Sequence, residues 1–515
     1  MTTLSQNDQL ALEQHGLSIP QLERQLQQLR QGVTALNLVR PCHVGDGIIQ
    51  FSPEEQNDYR NSFQNAHGKG RISKFVPASG AATRMFKDLL QFIEHEHTQE
   101  TTEGHLGLPD VIKQSWDQLS QFPFIEALRQ HVESQGLKID NNGDALHIAQ
   151  ILRQLLHSPG LGYANLPKAL LPFHRYADGT RTSLEEHVRE AIMYPQKAGE
   201  TTRIHLTVSA QFETLVQAHI TEIQKNVAQS RTKIEVTVSV QKLSTDTIAL
   251  DTDQQLFRDR EGNIIFRPGG HGALLENLHD FQGDIVSISN IDNVVPDYLK
   301  QPIIEWRMSL AGYLLTLQEK IFHHLEQLVS PQSTIVENTA RFIRDELYYE
   351  LPASYVQMDM PAQVEELTRF LDRPLRVCGV VANTGEAGGG PFWVQDGNGF
   401  QSRQIVEQSQ ADPRSKEQQQ LFTTATHFNP VELVCGVRNR QNIPFNLLKF
   451  RDPDTGFIAE KTYQSRPLKA LEWPGLWNGG MADWITLFVE VPRSTFNPVK
   501  TFLDWLNPNH QPQVK

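Results

Sequence analysis

Two cations and a carboxylate in this sequence stand where phosphate chemistry could use them. The first cation is Arg84, at the end of Lys74-Phe75-Val76-Pro77-Ala78-Ser79-Gly80-Ala81-Ala82-Thr83-Arg84. That stretch reads as a buried strand, a turn of small residues, and a helix led by Thr83 and Arg84. Small residues admit a ligand close to the backbone, and the start of a helix attracts anions. The guanidinium adds a planar cation suited to phosphate oxygens. Plain strand–helix packing explains the same residues equally well. The second cation is Lys168, fixed behind Pro167 and ahead of an apolar run. It reads either as a surface lysine opening a strand or as a cation held against phosphate by the rigid proline. The carboxylate is Asp292, in Ile291-Asp292-Asn293 after the apolar run Ile285–Ile288. At the carboxyl end of a parallel strand it could hold a divalent cation on phosphates, or simply close an Asx turn.

The elements that must position these residues follow from periodicity. Residues 1–70 read as a peripheral helical region, with Leu22, Leu26 and Leu29 at helical spacing and Ser52-Pro53-Glu54-Glu55 as a helix start. Residues 88–160 read as a helical insertion, and Thr180–His187 as a helix cap and first turn. A strand at 203–209, a helix at 210–228 and a strand at 234–241 give a βαβ rhythm. That rhythm favours an α/β fold with a mainly parallel sheet and ligand loops at its carboxyl edge. Three glycines, Gly269, Gly270 and Gly272, run straight into a helix. They could expose backbone groups to a planar ring or phosphate, or serve loop flexibility. Residues 302–372 are expected to be helical, strands resume at 375–381, and Glu386–Val394 reads as a Gly-rich hairpin. The predicted organisation is therefore a core at 71–300, a helical insertion at 301–374, a second core part at 375–506, and a disordered tail at 507–515.

Composition narrows the function classes. The chain has 515 residues, 39% apolar and 21% charged, enough for a large core in one elaborated domain or a few sub-domains. A formal charge of −13 with no basic tract argues against nucleic-acid binding, though an anionic substrate remains compatible if a few cations converge. Cys42, Cys378 and Cys435 lack CxxC spacing, so no disulfide framework is expected and a reducing compartment fits. The amino-terminal residues lack a signal-like apolar stretch and no run is long enough to span a bilayer, which points to a cytoplasmic protein. His43 beside Cys42 lacks further ligands at metal-site spacing, and His95, His97 and His105 sit among Glu and Thr, a composition that favours a solvated loop over a metal site.

Taken in order, these blocks resemble the UDP-N-acetylhexosamine and UDP-sugar pyrophosphorylases, within the sugar nucleotidyltransferases. Nearly the whole chain also resembles domain-of-unknown-function family 4301, which carries no established activity. Pro77–Arg84 takes the place of the pyrophosphorylases' glycine-rich phosphate loop, and Pro167-Lys168 that of their Pro-Lys pair. Pro268–Leu274 matches the uridine-binding segment, and Ile291-Asp292-Asn293 the Val-Asp-Asn whose aspartate holds magnesium. Ile405-Val406-Glu407, Phe428-Asn429 and Pro498-Val499-Lys500 echo the later blocks. The shared order over more than 400 residues carries the resemblance. Ser79 and Ala82 stand where the family has glycine, and the gap between Arg84 and Pro167 is longer than in the family.

The resemblance implies a Rossmann-like, mainly parallel mixed sheet of nucleotidyltransferase (GT-A-like) type. It also implies Mg²⁺-dependent transfer of a nucleotide, uridylyl by the match, from a nucleoside triphosphate to a sugar 1-phosphate. The catalytic cations would be Arg84, Lys168 and Lys500, and the metal ligand Asp292. Ser79, Gly80, Ala81, Thr83, Gly269, Gly270 and Gly272 would bind nucleotide, and Glu407 and Asn429 the sugar. The altered phosphate loop motivates a rival, a nucleotide-sugar binding or regulatory protein without turnover. A glycosyltransferase using Asp251-Thr252-Asp253 is a third reading, but it leaves Pro167-Lys168 and Pro498-Val499-Lys500 unexplained. Partners would be small molecules, with no nucleic acid and no membrane. The base, the sugar and the oligomeric state are open.

Overall fold

A computed structural model describes residues 4–513 apart from 68, 81, 100–107, 141–142, 195–200, 228–232, 387 and 465. Ala81, His105 and the side chain of His97 therefore lie outside the described residues. The chain is mixed α/β and divides into two compact units. The first comprises residues 1–75, 239–288 and 306–493, and the second residues 76–238, 289–305 and 494–515.

In the first unit a large mixed sheet runs in the order His43–Val44, Gly47–Ile49, Ile485–Glu490, Leu375–Ala382, His427–Gly436, Ile285–Ser289 and Ile72–Pro77. Ile285 pairs with Ile72 and Ile288 with Phe75 in parallel, and Leu375 pairs with Ile485 in parallel. Leu375 faces Gly436 in an antiparallel pair. The central strands are buried along their length, as continuous apolar runs such as Val377–Val381 require when both faces are covered. Phe75, Val286, Cys378, Leu433 and Phe488 share one core. Two antiparallel sheets complete this unit. One joins Leu38–Pro41, Gly390–Gln395 and Gln401–Val406, and the other joins Phe266–Arg267, Thr247–Leu250, Arg466–Glu472 and Phe457–Tyr463. Leu22, Leu26 and Leu29 of the Ile19–Gln31 helix pack on Ile248 and Leu250.

In the second unit, strands Thr201–Val208 and Lys233–Val240 follow the end of Ile72–Pro77, and the Ala78 N–H donates to the Thr207 carbonyl at 2.9 Å. The expected insertion is helical, with helices Lys87–Gln99, Asp110–Asp117, Ile125–Ser134 and Ala145–Leu156. Their apolar faces enclose a core with Phe86, Phe122, Phe124, Ile151 and Leu155 at its centre, and Val499, Phe502 and Trp505 share it.

Several expectations need correction. Residues 1–70 are not helical throughout, because Leu38–Pro41, His43–Val44 and Gly47–Ile49 form short strands, the first paired with Gly390–Gln395 and the last with Ile485–Glu490. Thr83 and Arg84 lie in a 3₁₀ turn, Ala82–Arg84, with the α-helix beginning at Lys87. Lys168 opens a 3₁₀ turn, Lys168–Leu170, and the strand starts only at Pro172. Residues 302–372 are helical as expected, in three α-helices, Asp297–Gln327, Ser333–Asp345 and Met360–Leu371. The tail is ordered through Pro508–His510, since His510 is buried and bonded to His174.

Candidate functional site

The second unit gathers the cations. The small-residue loop is tied down at several points. Ser209 Oγ donates to the Ser79 carbonyl at 2.9 Å, and the Ala82 N–H donates to the Leu166 carbonyl at 3.3 Å. The latter bond sets the loop beside the Pro167-Lys168 segment. Ala82 is fully buried and packs with Met85 and Phe86, so its methyl is an anchor for the loop. Gly80 is exposed, and a Cβ there would meet nothing within 4 Å. Thr83 and Arg84 are exposed, and Arg84 has no hydrogen bond or ion pair among the described residues.

Lys168 is held on two sides. Its Nζ donates to Asp292 Oδ2 at 2.7 Å and to the Val499 carbonyl at 2.8 Å, leaving one N–H uncommitted. Its own carbonyl accepts from Ser183 Oγ at 2.9 Å. Asp292 lies in the turn after the strand ends at Ser289, and its carbonyl accepts the Val499 N–H at 3.1 Å. Its second carboxylate oxygen has no partner among the described residues. Asn293 fixes this turn, its Nδ2 donating to the Thr495 carbonyl and its Oδ1 accepting the Asn497 N–H at 2.7 Å. Lys500 follows Val499 directly and is exposed, its ammonium 5.3 Å from the Phe496 ring centroid. Lys168 and Asp292 are thus bonded to each other, and the Ala82–Leu166 and Lys168–Val499 bonds tie their segments to the ones that carry Arg84 and Lys500, whose own side chains make no bond to the pair among the described residues. The Val499 carbonyl carried no signal beyond its place in Pro498-Val499-Lys500, and Asn497 carried none.

The first unit gathers the glycines and the acidic residues. Each glycine of the block faces the Glu472–Gly475 segment. A Cβ on Gly269 would overlap Trp473 and the Thr245 carbonyl, and one on Gly272 would overlap the Pro474 carbonyl. Gly270 has φ of +73°, and a Cβ there would lie 2.5 Å from a Glu472 carboxylate oxygen. The Trp473 N–H donates to the Gly269 carbonyl at 2.9 Å, which fixes the pairing. The glycines are therefore required by packing within this chain. His271, between them, stacks on Trp477 with centroids 4.3 Å apart, and its Nδ1 accepts the Leu476 N–H at 3.1 Å. Burial pushes its pKa down to about 4, against the opposing charge of Glu472, so the ring is neutral.

Glu407 and Asn429 meet at Gly389. The Asn429 N–H donates to the Gly389 carbonyl at 2.8 Å, and Glu407 Cγ lies 3.6 Å from where a Gly389 Cβ would stand. The Asn429 side chain is buried; Nδ2 donates to the Gly379 carbonyl at 2.8 Å and Oδ1 accepts the Val431 N–H at 3.0 Å. One amide hydrogen is left. Glu407 is partly buried, and burial first, then the Glu472 carboxylate, pushes its pKa up. Asn478, fully buried, donates to the Ile405 carbonyl at 3.0 Å, while its Oδ1 has no partner among the described residues. Glu472, His271 and Asn478 are the residues sequence reasoning passed over. His271 lies inside Pro268–Leu274, where only the glycines were given a role.

Among the described residues no cluster of three His, Cys, Asp or Glu side chains could hold a metal ion. Magnesium rarely needs one, since one or two carboxylates and the substrate's phosphates complete its shell. Asp292, with one carboxylate oxygen uncommitted, fits that pattern. Asp251 of the Asp-x-Asp spelling instead closes its own turn, its Oδ1 accepting the N–H groups of Asp253 and Gln255 at 2.9 Å.

The chain belongs to the family described as domain of unknown function (DUF4301), whose model matches residues 5–511. A comparison with curated proteins finds no match. Among solved structures the chain is similar to the UDP-glucose pyrophosphorylase from Leishmania major, at 14% identity and a TM-score of 0.41, covering 98% of this chain and 79% of that one. It is similar to the uridine diphosphate N-acetylglucosamine pyrophosphorylase from Trypanosoma brucei, at 10% identity and a TM-score of 0.43, covering 97% and 82%. It is also similar to a UDP-glucose phosphorylase from Trypanosoma brucei, at 12% identity and a TM-score of 0.44, covering 98% and 80%. At these identities and scores nothing about this chain's chemistry follows from them. No helix among the described residues is long and apolar enough to cross a membrane.

Proposed function

We propose that the chain is a nucleotidyltransferase of the sugar-1-phosphate pyrophosphorylase type, on a GT-A-like fold and acting in the cytoplasm. An oxygen of a sugar 1-phosphate attacks the α-phosphorus of a nucleoside triphosphate, uridine triphosphate by the sequence resemblance. The bond to the β-phosphate oxygen breaks, and pyrophosphate leaves. The observation that carries this reading is Lys168, held between Asp292 and the Val499 carbonyl, with the Arg84 loop tied to its segment through Ala82–Leu166 and Lys500 next to Val499 in the chain.

Such a reaction asks a protein for alignment and charge neutralisation more than for an acid–base pair. Arg84 and Lys500, both exposed, meet phosphate oxygens of the two substrates. Lys168 directs its uncommitted N–H at the α-phosphate, where negative charge builds up. Asp292 is the residue that would hold Mg²⁺, whose chemistry when bound is to neutralise the phosphates. Ser79, Gly80, Ala81 and Thr83 supply loop backbone to the triphosphate. Gly269, Gly270 and Gly272 offer backbone to the base. Glu407 and the remaining amide hydrogen of Asn429 address sugar hydroxyls, the carboxylate oxygens as acceptors and the amide as donor.

A pyrophosphate-release screen of four nucleoside triphosphates against a set of sugar 1-phosphates with Mg²⁺ tests the proposal. Turnover with at least one pair is expected. Calorimetric binding of nucleotide sugar with no pyrophosphate exchange for any pair would replace it with the non-catalytic binding reading.

A further inference from the structure

Behind Lys168 the second unit buries a group of charges that the proposed chemistry does not use. Glu186, on the helix Ser183–Met193, is fully buried and pairs with Lys300, which is 1% exposed. Lys300 also donates to Asp297 Oδ1 at 2.7 Å, and Arg181 to Asp297 Oδ2 at 2.7 Å. The Tyr176 hydroxyl donates to Glu186 Oε1 at 2.7 Å, with the Arg181 guanidinium over its ring. Two carboxylates and two cations balance, so no charge is left for a histidine to neutralise.

Two histidines complete the group. His174 Nδ1 lies 2.9 Å from Glu186 Oε1, and its Nε2 lies 2.9 Å from His510 Nδ1, with the two rings stacked. Only one of those two facing nitrogens can carry a proton, because two would set N–H against N–H. A proton added to His510 at its outer Nε2 keeps that bond, so what opposes it is the burial of the charge. Burial holds both histidines below their ordinary range, His510 at about 3, with His174 adding to the effect.

His510 is coupled to the lysine through short contacts. Asn509, its neighbour, donates from Nδ2 to Asn497 Oδ1 at 2.7 Å. The Asn497 N–H donates to Asn293 Oδ1, and Asn293 adjoins the aspartate that pairs with Lys168. Tyr298 Oη reaches the Pro508 and Gln511 carbonyls at 3.5 and 3.3 Å, and Trp505 is buried beneath the turn.

We propose that the turn Asn507–Gln511 is a proton-released latch, closed when His510 docks on His174 and acting through Asn509, Asn497 and Asn293 to hold Lys168 in place. His510 is a positioning residue. Its placing of the lysine for turnover rests on the function proposed above, while the latch itself does not. The sign is fixed by the histidines. A docked His510 resists protonation, whereas a released one takes a proton near its ordinary pKa of 6.5. Docking is thus strongest above about pH 6.5 and weakens up to about tenfold per pH unit below it, for one proton.

Two measurements without substrate test the latch. In hydrogen–deuterium exchange corrected for the intrinsic pH dependence, opening of residues 497–511 should rise between pH 7 and pH 5. That rise should vanish in His510→Gln, which cannot titrate. In amine labelling at pH 7.5 read by mass spectrometry, His510→Ala and Asn509→Ala should each label Lys168 several-fold faster than the parent protein. Unchanged exchange in strand Thr201–Val208 of the same unit shows that the variants are folded. Opening that ignores pH, or Lys168 labelling that both variants leave unchanged, overturns the latch whether or not the protein turns over. If the pyrophosphate screen fails while both measurements behave as stated, the latch stands and the catalytic reading falls. Where turnover is found, His510→Gln should lose the part of its acid limb due to latch opening, and His510→Ala should lower kcat more than it raises KM.

Discussion

Gly80 and Gly272 are both glycines that the sequence assigns to nucleotide, and they differ in what surrounds them. A Cβ at Gly80 meets nothing within 4 Å, and its backbone does not require glycine. Gly80→Ala should leave thermal stability within about 0.5 kcal/mol of the parent, as surface substitutions usually do. If the loop lies against phosphates, the same change should weaken nucleotide binding by calorimetry. Gly272→Ala forces a methyl into the Pro474 carbonyl and should cost about 1–3 kcal/mol in urea unfolding, whatever the ligand. Equal stability losses in the two variants would contradict this division. The sequence shows glycines but not what fills the space of their missing side chains. Block order alone could not reveal that the Gly269–Gly272 block is held by Glu472–Gly475, some 200 residues away.

At the scale of elements, two paired groups make contrasting predictions. Glu186 is held well below the usual carboxylate range; burial alone would raise it, but His174 and Lys300 outweigh that. Lys300→Met removes one partner and leaves a buried carboxylate short of charge, a change expected to cost about 3–5 kcal/mol. Denaturant unfolding at pH 7 checks this, and a loss below about 1 kcal/mol would contradict it. At the amino terminus, Asp8 on the helix Gln6–Gln14 receives two hydrogen bonds from Arg258 and is 3% exposed. Those bonds first, then the capping contacts with Ser5, lower its pKa to about 2. A depressed carboxylate stabilises the fold above its unfolded pKa, near 4, and loses that contribution as pH falls toward 2. The contribution is about 2 kcal/mol. Arg258→Ala should therefore flatten the acid limb of stability between pH 4 and pH 2, read by circular dichroism. An unchanged limb would sink the assignment. Elements of this kind were legible where periodicity is strong, as in the helices of residues 88–160 and the strands near 201–240. They were hidden where a local run competes with long-range contacts. The Leu38–Ile49 strands exist because sheet partners far along the chain, such as Trp393 and Phe488, pair with them.

For the whole molecule, the order of blocks along the chain told more than any one block. It led to the family and to Pro167-Lys168, Ile291-Asp292-Asn293 and Pro498-Val499-Lys500, segments that the second unit bonds together through Lys168. The sequence could not show that the last of these delivers a backbone carbonyl to the lysine, because a carbonyl has no signature of its own. Nor could it show that the tail is ordered. A polar, proline-containing end reads as disordered unless the histidine that will bury itself against His510 is already known. The most direct test of the account is pyrophosphate release from nucleoside triphosphate and sugar 1-phosphate with Mg²⁺, measured side by side for the parent protein and Lys168→Ala. Turnover by the parent with at least one pair, reduced about 10²–10³-fold in the variant, is the predicted result. Full turnover in Lys168→Ala, or none by the parent with any pair, would contradict it.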